Sequence, residues 1–364
     1  MQRLLENLKS AFLRIFNQTG YSYFAMQDLN QNRLNIAVNG FINYCDKNQK
    51  FFSKGKSIFE WNSNKSPEKI ISLHSNYIDL FLNKFPLYQR LTRSHIQNVI
   101  PVHKNKLLAF LAGRIYYIDT KEKKIIHFCK LRGSQPLHMA TINNTVYYGE
   151  YIRSRNKPPI HLLRSKPPYN IWKEVKKFEN IRHIHGVFKD PYNDTLWVTT
   201  GDDDDESWIM NLRRSDYKVI YKIGGSQSFR AVTLLFTDDY IYYGTDTPRE
   251  QNYICRFKRN TKKIEKLTTV GGSIFFGTKV SENLYFSTAS EPGKFNRNDA
   301  TEIWESRDGR NWNLIFELKK DFWHQKLFRY GLIFFPYGPG DGQNLWFSSI
   351  ATKNEFRIYN YPIV

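Results

Sequence analysis

From about residue 97 onward, polar and hydrophobic positions alternate in short runs separated by turn residues, which is the pattern of β-strands and hairpins. One arrangement recurs roughly every 45 residues: a short strand, a turn, an aromatic-rich strand, a polar loop, and a strand that ends in a basic turn. The second strands read RIYYID (114–119), TVYYGEY (145–151), TLWVTTGD (195–202), YIYYGTD (240–246), NLYFSTAS (283–290) and NLWFSS (344–349). Third and fourth strands read HLLRSKPPYNIWKEV, WIMNLRRSDYKVIYKI, YICRFKRNTKKIEKL and EIWESRDGRNWNLIFEL. Four strands repeated at this spacing predict the blades of an all-β propeller, in which each sheet buries both faces against its neighbours. Six blades are readable, at about 97–132, 135–178, 182–223, 228–268, 273–318 and 325–362. A seventh falls near 22–60, where RLNIAVNGFINYC and KFFSKGKSIFEW have strand character.

Two stretches break the strand rhythm. Ser66-Pro67 resembles a helix start, and IISLHSNYIDLFLNK carries a helical stripe that ends before Pro86, so a helical insertion is expected over about 66–95. At the start of the chain, Leu4, Leu5, Leu8, Phe12, Ile15 and Phe16 form one helical stripe. The organisation expected is an amphipathic helix over 1–20 followed by one propeller domain over 21–364. Glu6, Lys9 and Arg14 interrupt the apolar centre that a secretion signal needs. The helix is expected to dock on its own domain, with peripheral membrane contact as the alternative. A monomer in the cytoplasm is the default expectation, and no apolar run is long enough to cross a membrane.

Composition narrows the function. Aromatic residues make up 16% of the chain, which suits sheets packed face to face. Cys45, Cys129 and Cys255 are widely separated, which excludes a disulfide scaffold or a zinc finger. Phosphate-binding loops, dinucleotide fingerprints and nucleophile elbows are absent. The formal net charge is +20, and residues 1–180 carry 29 Lys and Arg against 11 Asp and Glu. Such a field attracts anions. With no nucleic-acid motif to read, an acidic saccharide is favoured over nucleic acid as the partner.

In a propeller, the innermost strand of each blade starts on the face where the second strand ends. First-strand starts supply His138, His183, His185, Arg230, Arg329 and Tyr330, and second-strand ends supply Glu150, Tyr151, Asp202, Asp246 and Glu291. Bases at strand starts and acids at strand ends converge around one mouth, where sites are usually built. His324, just before the last inner strand, is expected to reach the same face. His183 and His185 are expected to look at one point and suit either a metal or direct catalysis. In the run Gly201–Ser207, Asp202 and Glu206 flank this strand end, and the remaining acids are expected to be solvated. His74, His95, His103, His127 and His161 are given no role.

Ser306-Arg307-Asp308-Gly309-Arg310-Asn311-Trp312 resembles the Asp-box of sialidase-like propellers, and Arg164-Ser165 with Trp172 resembles a degraded copy. The resemblance implies that the box shapes a tight turn away from the active face. The His183-Ile184-His185 pair resembles that of the oligogalacturonate lyases, in which such a pair, a further His and a Gln hold a divalent metal that binds the uronate. Placement by geometry adds His138 and Gln227 to the set, with manganese or calcium as the metal. The expected function is a carbohydrate-active enzyme acting on a uronate-like saccharide by β-elimination or glycoside hydrolysis. His183, His185, Glu150, Tyr151, Asp202 and Tyr330 are the catalytic candidates. His138, Arg230, Asp246, Glu291, His324 and Arg329 are the substrate-binding ones. The alternative is a non-catalytic platform for an anionic polysaccharide or a protein.

Overall fold

Alternating side chains in short strands, joined by tight turns, give seven four-stranded antiparallel sheets arranged in sequence order. The computed structural model describes residues 34–363 apart from 63, 64, 75, 97, 135, 153 and 155. The expected helix over 1–20 therefore lies outside the described residues. Blade 1 spans 41–72, blade 2 98–130, blade 3 140–178, blade 4 184–224, blade 5 231–270 and blade 6 274–319. Blade 7 takes three strands from 332–362 and its outermost strand from Asn35–Asn39, which pairs antiparallel with Arg357–Pro362. The molecule is a seven-bladed β-propeller closed by its own N-terminal strand.

That closure corrects the reading of RLNIAVNGFINYC as part of one blade. The run is two strands of neighbouring blades, Asn35–Asn39 and Phe41–Cys45, and the chain crosses between them at Gly40. A Cβ at Gly40 would stand 2.8 Å from the Phe52 ring, and its φ of +153° disfavours other residues. RIYYID is also corrected, because it is the third strand of blade 2. The second strand is Lys106–Leu111, whose KLLAFL lacks the aromatic pair found in the second strands of blades 1, 3, 5, 6 and 7.

Hydrophobic residues sit mainly between blades. Each of the seven junctions holds its own buried cluster, such as Tyr147, Leu162, Ile184, Val198 and Met210 between blades 3 and 4. An eighth cluster around Phe41, Phe276 and Phe334 lies near the axis. Two junctions share a device: a Cβ on Gly149 or Gly244 would come within 2.3 Å of the Cβ of Ile184 or Ile274, the first residue of the next blade's inner strand. The Tyr-Tyr-Gly ending of these second strands thus lets neighbouring sheets close up.

Each inner strand runs away from what we call the upper face, so the second and fourth strands end on it. All blade-to-blade connections lie there. The longest of them carries α1 (Tyr77–Leu82) and α2 (Pro86–Thr92) between blades 1 and 2. The expected insertion is corrected at its start. Glu68–Ser72 completes blade 1 as a strand, and α1 begins only after Asn76, whose side chain accepts from the Asp79 amide. Pro86 opens α2, where its missing N–H costs nothing. A third helical turn, α3 (Gln325–Phe328), lies between blades 6 and 7. The buried guanidinium of Arg90 in α2 donates to the Phe328 carbonyl (2.6 Å) and pairs with Asp321 and Glu355.

Candidate functional site

The inner strand of blade 4 opens at Ile184 with a bulge that leaves His185 out of register with the neighbouring strand. Bulges next to sites commonly re-aim a side chain. His183 and His185 are buried, and their Nε2 atoms lie 3.0 Å apart. Each Nε2 is 3.5 Å from Oδ1 of Asp202, at the end of the second strand. The opposite ring nitrogens face carbonyls, with His183 Nδ1 3.4 Å from Ile152 O and His185 Nδ1 3.1 Å from Ala231 O. A nitrogen facing a carbonyl carries a hydrogen. Both Nε2 atoms and Oδ1 then present lone pairs to one another, an arrangement that calls for positive charge at its centre. Gly186 lets this strand pass close to blade 5, because a Cβ there would stand 2.5 Å from the Phe188 ring and 3.0 Å from Val232 O.

The neighbouring blades add a buried ionic chain. Arg230 reaches Asp202 (3.0 Å) and Asp246 (3.2 Å), and Ser273 donates to Glu291 (3.0 Å). Burial pushes the Asp246 carboxyl up to about 8, aided by Glu291 and Asp202 and only partly offset by Arg230. Burial raises Glu291 as well. Asp202 goes the other way: burial would raise it, but its surroundings of two imidazoles hold it well below the usual carboxylate range, and it pairs with Arg230. Burial lowers His185 to about 4, so it is neutral at physiological pH. One mouth therefore holds an ionised carboxylate and a protonated one on either side of a single guanidinium, a division of roles typical of acid–base sites.

Tyr151 belongs to this group, since its ring stacks on His183 at 4.0 Å. Glu150 does not join it. Its buried carboxylate is taken up by Arg132 (2.7 Å) and by His161 Nδ1 (2.8 Å), so His161 has a structural partner that the sequence did not reveal. Gln227 is also displaced from the metal set. Its amide donates to the Asp202 carbonyl (3.0 Å) and to Asp204 (2.9 Å), holding the acidic loop in place. His138 lies deeper, its Nε2 2.9 Å from Phe275 O across the axis, between the rings of Phe188 and Phe276. His324 is exposed at the start of α3, Arg329 ends that turn, and Tyr330 packs near Phe275 (6.0 Å).

The acidic run is solvated at Asp204 and Asp205, as expected, but it is also tied down by ion pairs. Asp203 pairs with Arg182 and Arg249, Asp205 with Lys157, and buried Glu206 with Arg182. His95 was given no role, yet it sits on the upper face just before the inner strand of blade 2, in the phase of His183. It is buried beside Phe41, neither ring nitrogen has a hydrogen-bond partner among the described residues, and burial with the nearby Arg329 holds it neutral. The seven-residue motif forms a turn on the opposite face. Asp308 accepts from the amides of Arg310 and Asn311 (2.8 Å each), which lowers it to about 2, and Trp312 stacks on Phe286.

A cavity of about 310 Å³ follows the axis, lined by residues that include His138, Phe188, Phe276, Phe334 and Tyr337. His183, His185, Asp202, Arg230, Asp246 and Glu291 are not part of its lining, so the ionic group crowns the axis above the cavity.

Two imidazoles and one carboxylate within 4.8 Å of one another fit a first-row divalent metal such as manganese or zinc. They do not suit calcium, which takes six to eight oxygen ligands. No family model matches the chain, and no curated protein matches its sequence. Among solved structures, a chain of the "Crystal Structure of Mitotic Checkpoint Complex" superposes with a TM-score of 0.57 at 10% identity, covering 95% of this chain and 94% of that one. The likeness is one of fold. No helix among the described residues is long and apolar enough to cross a membrane.

Proposed function

We propose that the protein cleaves an acidic, uronate-like saccharide at the mouth of the axis by β-elimination, with a divalent metal held by His183, His185 and Asp202. The observation that carries this reading is the convergence of three acceptor atoms at 3.0–3.5 Å with a cation called for between them. A metal there would bind the uronate carboxylate and make the adjacent C5 proton more acidic. His183 and His185 are oriented for that task by the carbonyls behind them, as second-shell partners orient metal ligands. Arg230 is committed to Asp202 and Asp246, so it positions the carboxylates rather than clamping substrate. Arg329 is assigned the second contact to the substrate carboxylate. Tyr151, acting as its phenolate, takes the C5 proton, the C4–O4 bond breaks as the C4–C5 double bond forms, and the Asp246–Glu291 pair gives a proton to the leaving oxygen, the phenol proton later returning to that pair through solvent. The reading agrees with the resemblance of the histidine pair to that of the oligogalacturonate lyases.

A panel of uronate polymers and oligomers tests it. The expected product absorbs in the ultraviolet as an unsaturated uronate, and His185→Ala loses both that product and the stoichiometric metal of the purified protein. New reducing ends without unsaturation would instead assign hydrolysis by the carboxylates. A second reading, a non-catalytic platform for an anionic polysaccharide or a protein, is supported by the fold likeness to a chain from a protein complex. It predicts that His185→Ala leaves binding intact, while charge reversals in residues 33–132 abolish it.

A further inference from the structure

The connections that carry α1, α2 and α3 form one cap at the edge of the upper face. Phe81 packs on Phe85 (5.4 Å) and Gln89 donates to Asn83 O (2.8 Å), which joins α1 to α2. Arg90 joins α2 to α3. Helix α1 is inverted relative to an ordinary surface helix. Its aspartate, Asp79, is buried against Lys56 (2.7 Å), while Tyr77 is 90% exposed, Ile78 70% and Phe81 51%. Leu91 on α2, Phe322 before α3 and Leu327 within it are exposed as well, at 56%, 74% and 61%. Scattered exposed apolar residues need no explanation, but six on one cap do.

The charges around them have a single sign. Lys84, Arg93 and Lys326 are exposed, whereas the two acids of residues 76–94 and 320–331, Asp79 and Asp321, are turned inward onto Lys56 and Arg90. Protruding aromatic and aliphatic side chains set among lysine and arginine are the composition that binds the headgroup region of an anionic bilayer. Within these connections a protein partner of mixed charge would find no exposed acid; the adjoining Asp299, whose carbonyl accepts from the Lys320 amide, is exposed but faces Arg297 (3.6 Å). We infer that this cap docks the propeller on an anionic lipid surface, with the upper face and its ionic mouth turned toward the membrane. The inference does not depend on the saccharide chemistry. If that chemistry also holds, the substrate is presented at the bilayer.

The test is co-sedimentation of the full chain with vesicles of phosphatidylcholine alone or with about a third phosphatidylserine. The native protein is expected to bind only the anionic vesicles, less so as salt rises. Combined Lys84→Glu, Arg93→Glu and Lys326→Glu should weaken that binding on the order of 100-fold. Tyr77→Ser, Ile78→Ser and Leu327→Ser should weaken it at least about tenfold. Both sets replace exposed side chains and should leave the melting temperature unchanged. Binding that survives both sets but is lost with Leu8→Glu and Phe12→Glu would overturn the inference in favour of the N-terminal segment. Absence of binding to either vesicle, or self-association abolished by the serine variants, would overturn it too. Turnover of soluble uronate oligomers is read separately and is expected to be untouched.

Discussion

Asp246 is the residue at which the chemistry of the mouth is easiest to test. In the folded protein its carboxyl keeps its proton up to about pH 8, whereas in the unfolded chain it ionises near pH 4. The native state therefore holds a proton that the unfolded chain releases, and stability falls as pH rises from about 4 to 8. Asp246→Asn keeps an acceptor for Arg230 and removes this slope. Thermal unfolding should show the variant level with the native protein at pH 4 and increasingly more stable toward pH 8, and a constant difference across that range would refute the assignment. Sequence pattern reached this group through phase alone: bases at strand starts, acids at strand ends. It could not reveal that Glu150 turns away to Arg132 and His161, because a strand-end position fixes the backbone and leaves the side chain's partner open.

The strands and their connections show where pattern succeeds and where it slips. Five of the six named second strands are second strands, because one or two aromatic residues followed by a small or β-branched residue mark this position in the blade. Blade 2 breaks the rule with KLLAFL, and the aromatic run was found one strand late. With that blade out of phase, His95 has no frame of reference in the sequence, which is why it is given no role there. The count of residues back from Asn98 would have found it. The same element logic makes Gly244→Val damaging: its Cβ would collide with Ile274, and a melting curve should show a loss of about 1–3 kcal/mol or more. Arg90→Met should cost about 3 kcal/mol by denaturant unfolding, since it strands Glu355 without its buried cation and leaves Asp321 to Lys320 alone.

At the scale of the whole molecule, stability depends on the ring. Every blade buries both faces, so an open junction would expose the facing sides of two sheets at once. The junction of blades 7 and 1 relies on Asn35–Asn39 holding the edge of Arg357–Pro362. Val38→Pro constrains that strand and removes a backbone donor, and is expected to lower stability by about 3 kcal/mol with loss of a single sharp transition. The repeat was legible because it recurs, whereas the closure was not, since a single strand detached from its blade by some 290 residues has no periodicity of its own. That separation also sets an order of events during synthesis. The ribosome delivers the closing segment first and its hydrogen-bonding partner last, so the early segment must wait, unmated, while six sheets are made. A chaperone that shields this stretch, or a slow step late in translation, would therefore govern how much nascent protein ends as finished rings rather than as chains stitched to one another.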